Sequence, residues 1–318
     1  MLVRKTKRRR LSIVCWTVFA LLLIVAGGCS RWSGGGPSLP SPVKEPAGDH
    51  DKRLKKKVGV VPFRIESIFG EAALKDFFQD NLLLALQKEC PDTLFLKPAD
   101  EDFPQGLADL PLLDSGAIDN FAVAMTGRRF GLNAVLVGKI VSINADEKAR
   151  GFWFFRSSHY YVQVEILLAL FDTETATKIY DKTLSRRMEV EEPDAELIRA
   201  NNRIENHFVE PTLEEVIDDV KEDICSALER QAWKSYILAI DGADIQVGAG
   251  SRSGVQAGDI FTVYETPQAI EGYSGHRYLP TGARIGDIEV KTVSADASRA
   301  TPLSGSGFKE GQVLRLSK

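Results

Sequence analysis

Long apolar runs are scarce in this 318-residue chain, and cysteine is scarcer, at four. After residue 28 no stretch of about 18 apolar residues occurs, so no later helix is expected to span a bilayer. The histidines His50, His159, His207 and His276 lie far apart, none with a partner at metal-ligand spacing. No Ser-His-Asp or Cys-His arrangement has a recognisable local signature. Gly248 to Gly254 has the glycines of a phosphate loop, but no Gly-Lys-Ser/Thr is present and the next segment, Ile260 to Tyr264, reads as a strand. Basic clusters are few and the net charge is −4, which disfavours nucleic acid as a partner. No catalytic, cofactor or metal site is expected. The chain reads as a non-enzyme.

What is present begins at the amino terminus. Arg4-Lys5-Thr6-Lys7-Arg8-Arg9-Arg10 precedes an uncharged stretch, Leu11 to Ala26, and the run closes on Gly27-Gly28-Cys29. A positive start, an apolar centre and small residues before a cut make a secretory signal. The cysteine directly after them makes the segment resemble a bacterial lipoprotein signal. That resemblance implies cleavage after Gly28, a thioether-linked lipid on Cys29 and acylation of the new amino terminus. Each buried methylene contributes ~0.8 kcal/mol and one chain holds weakly, so several chains make a lasting anchor. Ser30 favours the outer membrane, by resemblance to lipoprotein sorting, with the protein facing the periplasm. The alternative is a plain amino-terminal anchor, for which 16 uncharged residues fall short of the roughly 20 that a span needs.

Loss of residues 1–28 removes six basic residues and no acid, leaving 290 residues with a net charge of −10. That is enough chain for two ordinary domains. Cys15 leaves with the signal and Cys29 is taken by lipid. Cys90 and Cys225 remain in a compartment that permits disulfides, either as a pair or as two buried small hydrophobes. Residues 29–56 read as a tether, with Gly34-Gly35-Gly36-Pro37 and Pro40-Ser41-Pro42 unable to build a core. The run Lys52-Arg53-Leu54-Lys55-Lys56-Lys57 lies either over anionic headgroups or free in solvent.

Residues 57–230 alternate strands and helices. Val58 to Phe63 reads as a buried strand, Ala73 to Leu86 as a helix by its three-to-four spacing, and Leu94-Phe95-Leu96 as a second strand. A second helix is expected over about Ala117 to Phe130, with Gly131 at its C-cap. Ala134 to Gly138 opens a third strand that continues through Ile143. Tyr160 to Phe171 and Lys178 to Val190 flank a turn at Asp172. A closing helix is expected from Thr212, with Pro211 before it and Glu215 at capping-box spacing. Together these describe an α/β (α+β) mixed sheet with packed helices. The opening strand with Pro62-Phe63, the strand ending at Gly138 and the Asp172 hairpin resemble a periplasmic domain. It occurs in the curli-secretion lipoprotein, in lipoprotein activators of penicillin-binding proteins and in the amino-terminal part of Tol translocation protein B. One departure is Ala176, where the family usually has glycine; alanine takes positive φ only at a cost.

Residues 231–318 change character and carry a repeat. Gly254/Gly258/Asp259/Ile260, Gly282/Gly286/Asp287/Ile288 and Gly307/Gly311/Gln312/Val313 share one template: glycine, three residues, glycine, a polar side chain, then a β-branched residue. Glycines supply positive φ, the polar side chain bonds nearby backbone, and short strands follow. This part resembles the SH3-like carboxy-terminal domain of flagellar assembly protein T, a small β-barrel. The two domains are expected to fold separately.

Two acid sets, one from Glu189 to Glu196 and the other Glu214, Glu215, Asp218 and Asp219, read as solvated faces. Phe152-Trp153-Phe154-Phe155, flanked by Arg150 and Arg156, lies between two strands. A run of four cannot all face one side of a strand, which makes these residues candidates for partner contact, with packing on the sheet as the alternative. The leading expectation is an outer-membrane lipoprotein that binds or assembles another envelope protein. A ring-forming homo-oligomeric subunit of a flagellar or secretion assembly is the structural rival. An envelope enzyme is the third. The Ala145–Tyr160 connection is short and charged for a pore hairpin.

Overall fold

The computed structural model describes residues 53–66, 72–100, 103–150, 157–201 and 204–317. All of them belong to one compact unit, Ala47–Lys318. Strand β1 (Lys56–Val60) is buried from Lys57 onward, as a strand with both sheet faces covered must be. After it, β2 (Arg64–Ile65) precedes helix α1 (Ala72–Glu89), which buries Leu74, Phe78, Leu82 and Leu86 against the sheet. Strands β3 (Thr93–Leu96) and β4 (Ala134–Arg150) flank β1, both in parallel with it. Strands β5 (Ser157–Asp172) and β6 (Lys178–Val190) add an antiparallel hairpin, giving the order β3-β1-β4-β5-β6. The sheet is mixed, with helices packed on it.

Helix α2 (Asn120–Arg129) starts where Asp119 caps it, its carboxylate accepting from the Ala122 N–H at 2.9 Å. Gly131 beyond it has φ +69°, and a Cβ there would also stand 2.1 Å from the Gly248 carbonyl oxygen of the carboxy-terminal domain. The glycine serves both a turn and a close approach.

Helix α3 (Glu192–Asn201) starts inside the first acid set, whose Glu189, Glu191, Glu192 and Glu196 side chains are exposed, as expected of a solvated face. Ala195 and Ile198 turn inward to the main core. Helix α4 (Glu210–Glu229) begins two residues before Thr212, so the capping box with Glu215 is absent. Pro211, whose fixed φ and missing N–H suit the first helical turn, moves the start upstream and leaves Thr212 buried inside the helix. Its expected face, Leu213, Val216, Ile217, Val220, Ile224 and Leu228, is buried.

The β5–β6 turn accommodates Ala176 at φ +58°. Asp172 holds it by accepting from the Thr175 N–H and Oγ1 at 2.8 and 2.7 Å, and Asn120 Nδ2 donates to the Ala176 carbonyl at 2.8 Å. Contacts from two elements thus maintain a conformation that alanine alone disfavours.

The carboxy-terminal strands close a six-stranded antiparallel barrel. They are β7 (Ser235–Asp241), β8 (Asp244–Val247), β9 (Ile260–Tyr264), β12 (Arg284–Val293), β13 (Ser298–Gly305) and β14 (Val313–Leu316). Strands β10 (Ile270–Glu271) and β11 (Arg277–Tyr278) form a separate hairpin between β9 and β12. Trp233, Ile237, Phe261, Val263, Ile288 and Leu314 fill the barrel.

Two copies of the repeat work alike: Gly254, Gly258, Gly307 and Gly311 have positive φ. Asp259 accepts from the Gln256 N–H and Gln312 from the Lys309 N–H, both at 2.8 Å. The middle copy departs from the template because Gly286 lies inside β12. Its glycines serve close approach, since Cβ atoms at Gly282 and Gly286 would meet the Glu265 and Ser304 carbonyl oxygens at 1.8 and 2.2 Å. Asp287 accepts from Thr262 and Ser304 hydroxyls at 3.0 Å instead of from turn backbone.

The basic run before β1 is neither solvated nor free to lie over lipid from Arg53 to Lys57. Leu54, 6% exposed, belongs to the barrel core. Arg53 holds both carboxylate oxygens of Asp259 at 3.0 and 3.1 Å. Lys57 donates to the carbonyls of Phe130 and Gly248 at 3.1 and 3.3 Å. One leucine among cations gains enough from burial to bring its neighbours with it, and Arg53 and Lys57 find oxygen partners.

Candidate interaction surface

Strand β4 is 17 residues long, and its register with β5 runs without a break from Ser142↔Glu165 to Arg150↔Ser157. The segment after Ile143 is therefore a paired arm, and the described residues of the Ala145–Tyr160 connection lie in its two strands. From Asn144 to Arg150 every residue of β4 is exposed. At about 3.4 Å per residue, the arm extends ~24 Å past Ile143. Phe152, Trp153, Phe154 and Phe155 lie outside the described residues, as does Cys29.

Beside the arm, Ser158, His159, Tyr160 and Glu189 to Pro193 line an open groove of about 460 Å³. His159 Nδ1 stands 2.5 Å from Glu189 Oε1. That hydrogen bond holds the Glu189 carboxyl below its ordinary range, with the charges of His159 and Arg150 adding to it. Among the described residues no group of three or more His, Cys, Asp or Glu side chains is placed to hold a metal ion. His207 and His276 do not line this groove: His207 stacks on Phe208, and His276 contacts Asn120 of α2 at 3.0 Å.

The opposite pole of the sheet carries the barrel, and the seam between them is charged and buried. Lys234 forms an ion pair with Asp172 and stands 3.6 Å from Glu174. Arg315 of β14 reaches Glu174 at 2.8 Å. Arg128 of α2, 2% exposed, donates to the carbonyls of Thr173 and Glu174 and lies over the Tyr236 ring. Tyr236 meets Thr173 Oγ1 at 2.8 Å, and Asn133 Nδ2 donates to the Lys234 carbonyl at 2.9 Å. Burial alone would lower the Lys234 ammonium, but the Asp172 and Glu174 charges outweigh it and raise its pKa above 10.5. Burial likewise pushes Asp172 up, and Lys234 with Thr175 reverses that, holding it below 3.8. This arrangement can lock two elements together; it presents no open face for a substrate.

None of the seam was anticipated from the sequence, where Asp172 is a turn residue and Lys234 an unremarkable cation. The β10–β11 hairpin was passed over too: Tyr273 is 91% exposed and Ile270 59%. The only available signal was an aromatic-containing insertion between two barrel strands. On the far side of the sheet, Cys90 after α1 is bonded to Cys225 of α4, with Cα atoms 5.5 Å apart.

No family model matches the chain, and no curated protein matches it. Solved structures similar to it include a hypothetical protein from Chlamydia trachomatis, at 12% identity over 54% of this chain and 99% of that one, with a TM-score of 0.33. A lipoprotein from Neisseria meningitidis is similar at 15% identity over 54% and 99%, with a TM-score of 0.30. A minor lipoprotein from Acinetobacter baumannii is similar at 10% over 54% and 93%, with a TM-score of 0.28. Likenesses this slight assign neither fold nor role, which rest on the residues themselves.

Proposed function

We propose that this chain is a bacterial lipoprotein, lipidated on Cys29 and held in the outer membrane, facing the periplasm. There it serves as a non-catalytic module that binds or assembles another envelope protein. The signal ending at Cys29 carries this reading. The Cys90–Cys225 disulfide supports it, since such bonds form and persist in oxidising compartments. The exposed arm supports the binding role by extending a surface beyond the packed sheet, and the barrel, of SH3-like kind, offers a second one. Cys29→Ala should leave an uncleaved or soluble precursor on fractionation; a mature outer-membrane protein that still requires detergent would overturn the anchor.

The aromatic run tests the binding role separately. As partner contacts, Trp153 and Phe154 replaced together by Ser should weaken capture of the partner from detergent extracts and leave the melting temperature nearly unchanged, because Trp is enriched at interface hot spots. As core residues, truncating either should cost roughly 3–5 kcal/mol. A large stability loss with no separate capture defect would return them to the sheet.

A further inference from the structure

The hairpin between β9 and β12 is fastened at its base and open at its tip. Asn120 of α2 accepts from the Arg277 N–H at 3.3 Å and donates to the Arg277 carbonyl at 2.6 Å. The Arg277 guanidinium lies 4.1 Å over the Phe121 ring and 3.7 Å from Asp119. Just past β11, the Leu279 N–H donates to the Thr175 carbonyl of the β5–β6 turn at 3.0 Å. Glu271 pairs with Arg277 and Ile270 with Tyr278, and neighbours along a strand point to opposite faces. Arg277 therefore turns one face toward α2. Ile270 and Tyr278 stand on the other, 59% and 37% exposed. At the tip, Ser274 and Gly275 take positive φ, and Tyr273 is 91% exposed, the most of any large apolar side chain among the described residues.

Ile270, Tyr273 and Tyr278 are uncharged, and Glu271 and Arg277 lie behind them, so a charged ligand finds no counter-charge on this face. An uncharged, preorganised segment suits it, and this chain contains one: Pro37-Ser38-Leu39-Pro40-Ser41-Pro42-Val43. Prolines fix φ near −65° and favour the polyproline II helix, which loses little entropy on docking against aromatic rings. Residues three apart in that helix share a ridge, ~9 Å from one to the next. Pro37, Pro40 and Val43 form such a ridge, and the step from Ile270 to Tyr273 along the hairpin is ~10 Å. The connection is also long enough. Arg53 is fixed to Asp259 at the start of β9, and Ile270 lies at most ~38 Å along the chain from there. The stretch from Pro40 to Arg53 reaches ~45 Å. A link of that length supplies a roughly millimolar effective concentration, which fills even a weak site.

We propose that residues 37–43 dock on the face formed by Ile270, Tyr273 and Tyr278 of the same chain, folding the tether back along the barrel. The docking does not depend on lipidation of Cys29, since the segment lies beyond it. Its consequence does rest on that anchor: the span from Cys29 to the folded body shortens from ~80 Å to ~26 Å when residues 37–43 are held.

Photo-crosslinking of the full chain in detergent micelles tests the docking. With Ser41 replaced by p-benzoylphenylalanine, which keeps every proline and Leu39, irradiation should link position 41 to a peptide within residues 265–284 of the same molecule, located by mass spectrometry. Tyr273→Ser should lower the yield about fivefold or more, and Pro37→Ser with Pro40→Ser should do the same, whereas Tyr273→Phe keeps the ring and the yield. The proline variant alters no residue of the described fold, so it decides the matter if Tyr273→Ser lowers the melting temperature. A link to a second copy, seen as a doubled mass, would overturn the proposal. So would a link elsewhere on the chain, no link, or a yield that survives the proline substitutions.

Discussion

Lys234→Met should cost the folded protein about 3–5 kcal/mol, the range for removing one partner of a buried ion pair. The side chain is 2% exposed and serves two carboxylates, Asp172 and Glu174; methionine would leave Asp172 buried without a cation, while Glu174 keeps Arg315 at 2.8 Å. Methionine keeps the apolar stem, so the loss reports charge rather than volume. Changing Asp172→Asn as well should recover part of it, because burying a neutral group costs less than burying an unpaired charge.

The pH dependence follows from the same pair. Asp172 has its folded pKa depressed below 3.8, so its contribution is present above that value and is lost as the pH falls through the folded pKa. Lys234 has its pKa raised above 10.5, so its contribution is complete below that value and is lost as the pH rises through the folded pKa. Urea unfolding of wild type and variant at neutral pH measures the difference; a loss under about 1 kcal/mol would mean that water reaches the seam. Because the seam ties β7 and β14 to the β5–β6 turn, wild type should unfold in one transition. Two transitions would instead bear out the separate folding of 57–230 and 231–318 expected from sequence.

Replacing Cys90 and Cys225 together by Ser should cost roughly 2–5 kcal/mol. The two lie 135 residues apart in sequence, so the bond removes a large loop from the unfolded ensemble. Both also lie in the main hydrophobic core, where α1 packs on α4, and two hydroxyls there would add a desolvation cost. Using the double variant avoids a lone thiol that could pair between chains. Urea unfolding of the variant, and of wild type with and without reductant, separates the two contributions. A variant as stable as oxidised wild type would contradict the expectation.

The sequence made elements legible where a single period governed them. The β1 run, the α1 and α4 faces and the two hairpin strands all follow from spacing. Helix α3 was hidden because few apolar residues, Ala195 and Ile198 among them, stand among acids. The start of α4 was misplaced because Pro211 competes with the Thr212–Glu215 spacing for the first turn. The seam was not legible because Lys57, Arg128 and Lys234 look like surface cations until distant segments bring oxygens around them. Asn133, for example, bonds both the Lys57 backbone and the Lys234 carbonyl, residues far apart along the chain. Ala176 shows the reverse case: tertiary contacts hold a φ that local preference disfavours. Of the candidate site, Cys29 and the aromatic run were legible as motifs, whereas the length of the β4 arm depends on how far its pairing with β5 runs.

The intact mass of the protein extracted from membranes tests the central claim most directly. The account predicts a chain that begins at Cys29, lacks residues 1–28 and carries the added mass of a thioether-linked diacylglycerol and an amide-linked acyl chain, all three acyl chains on that residue. A chain that retains Met1 to Gly28, or one that begins at residue 29 without lipid, would contradict it.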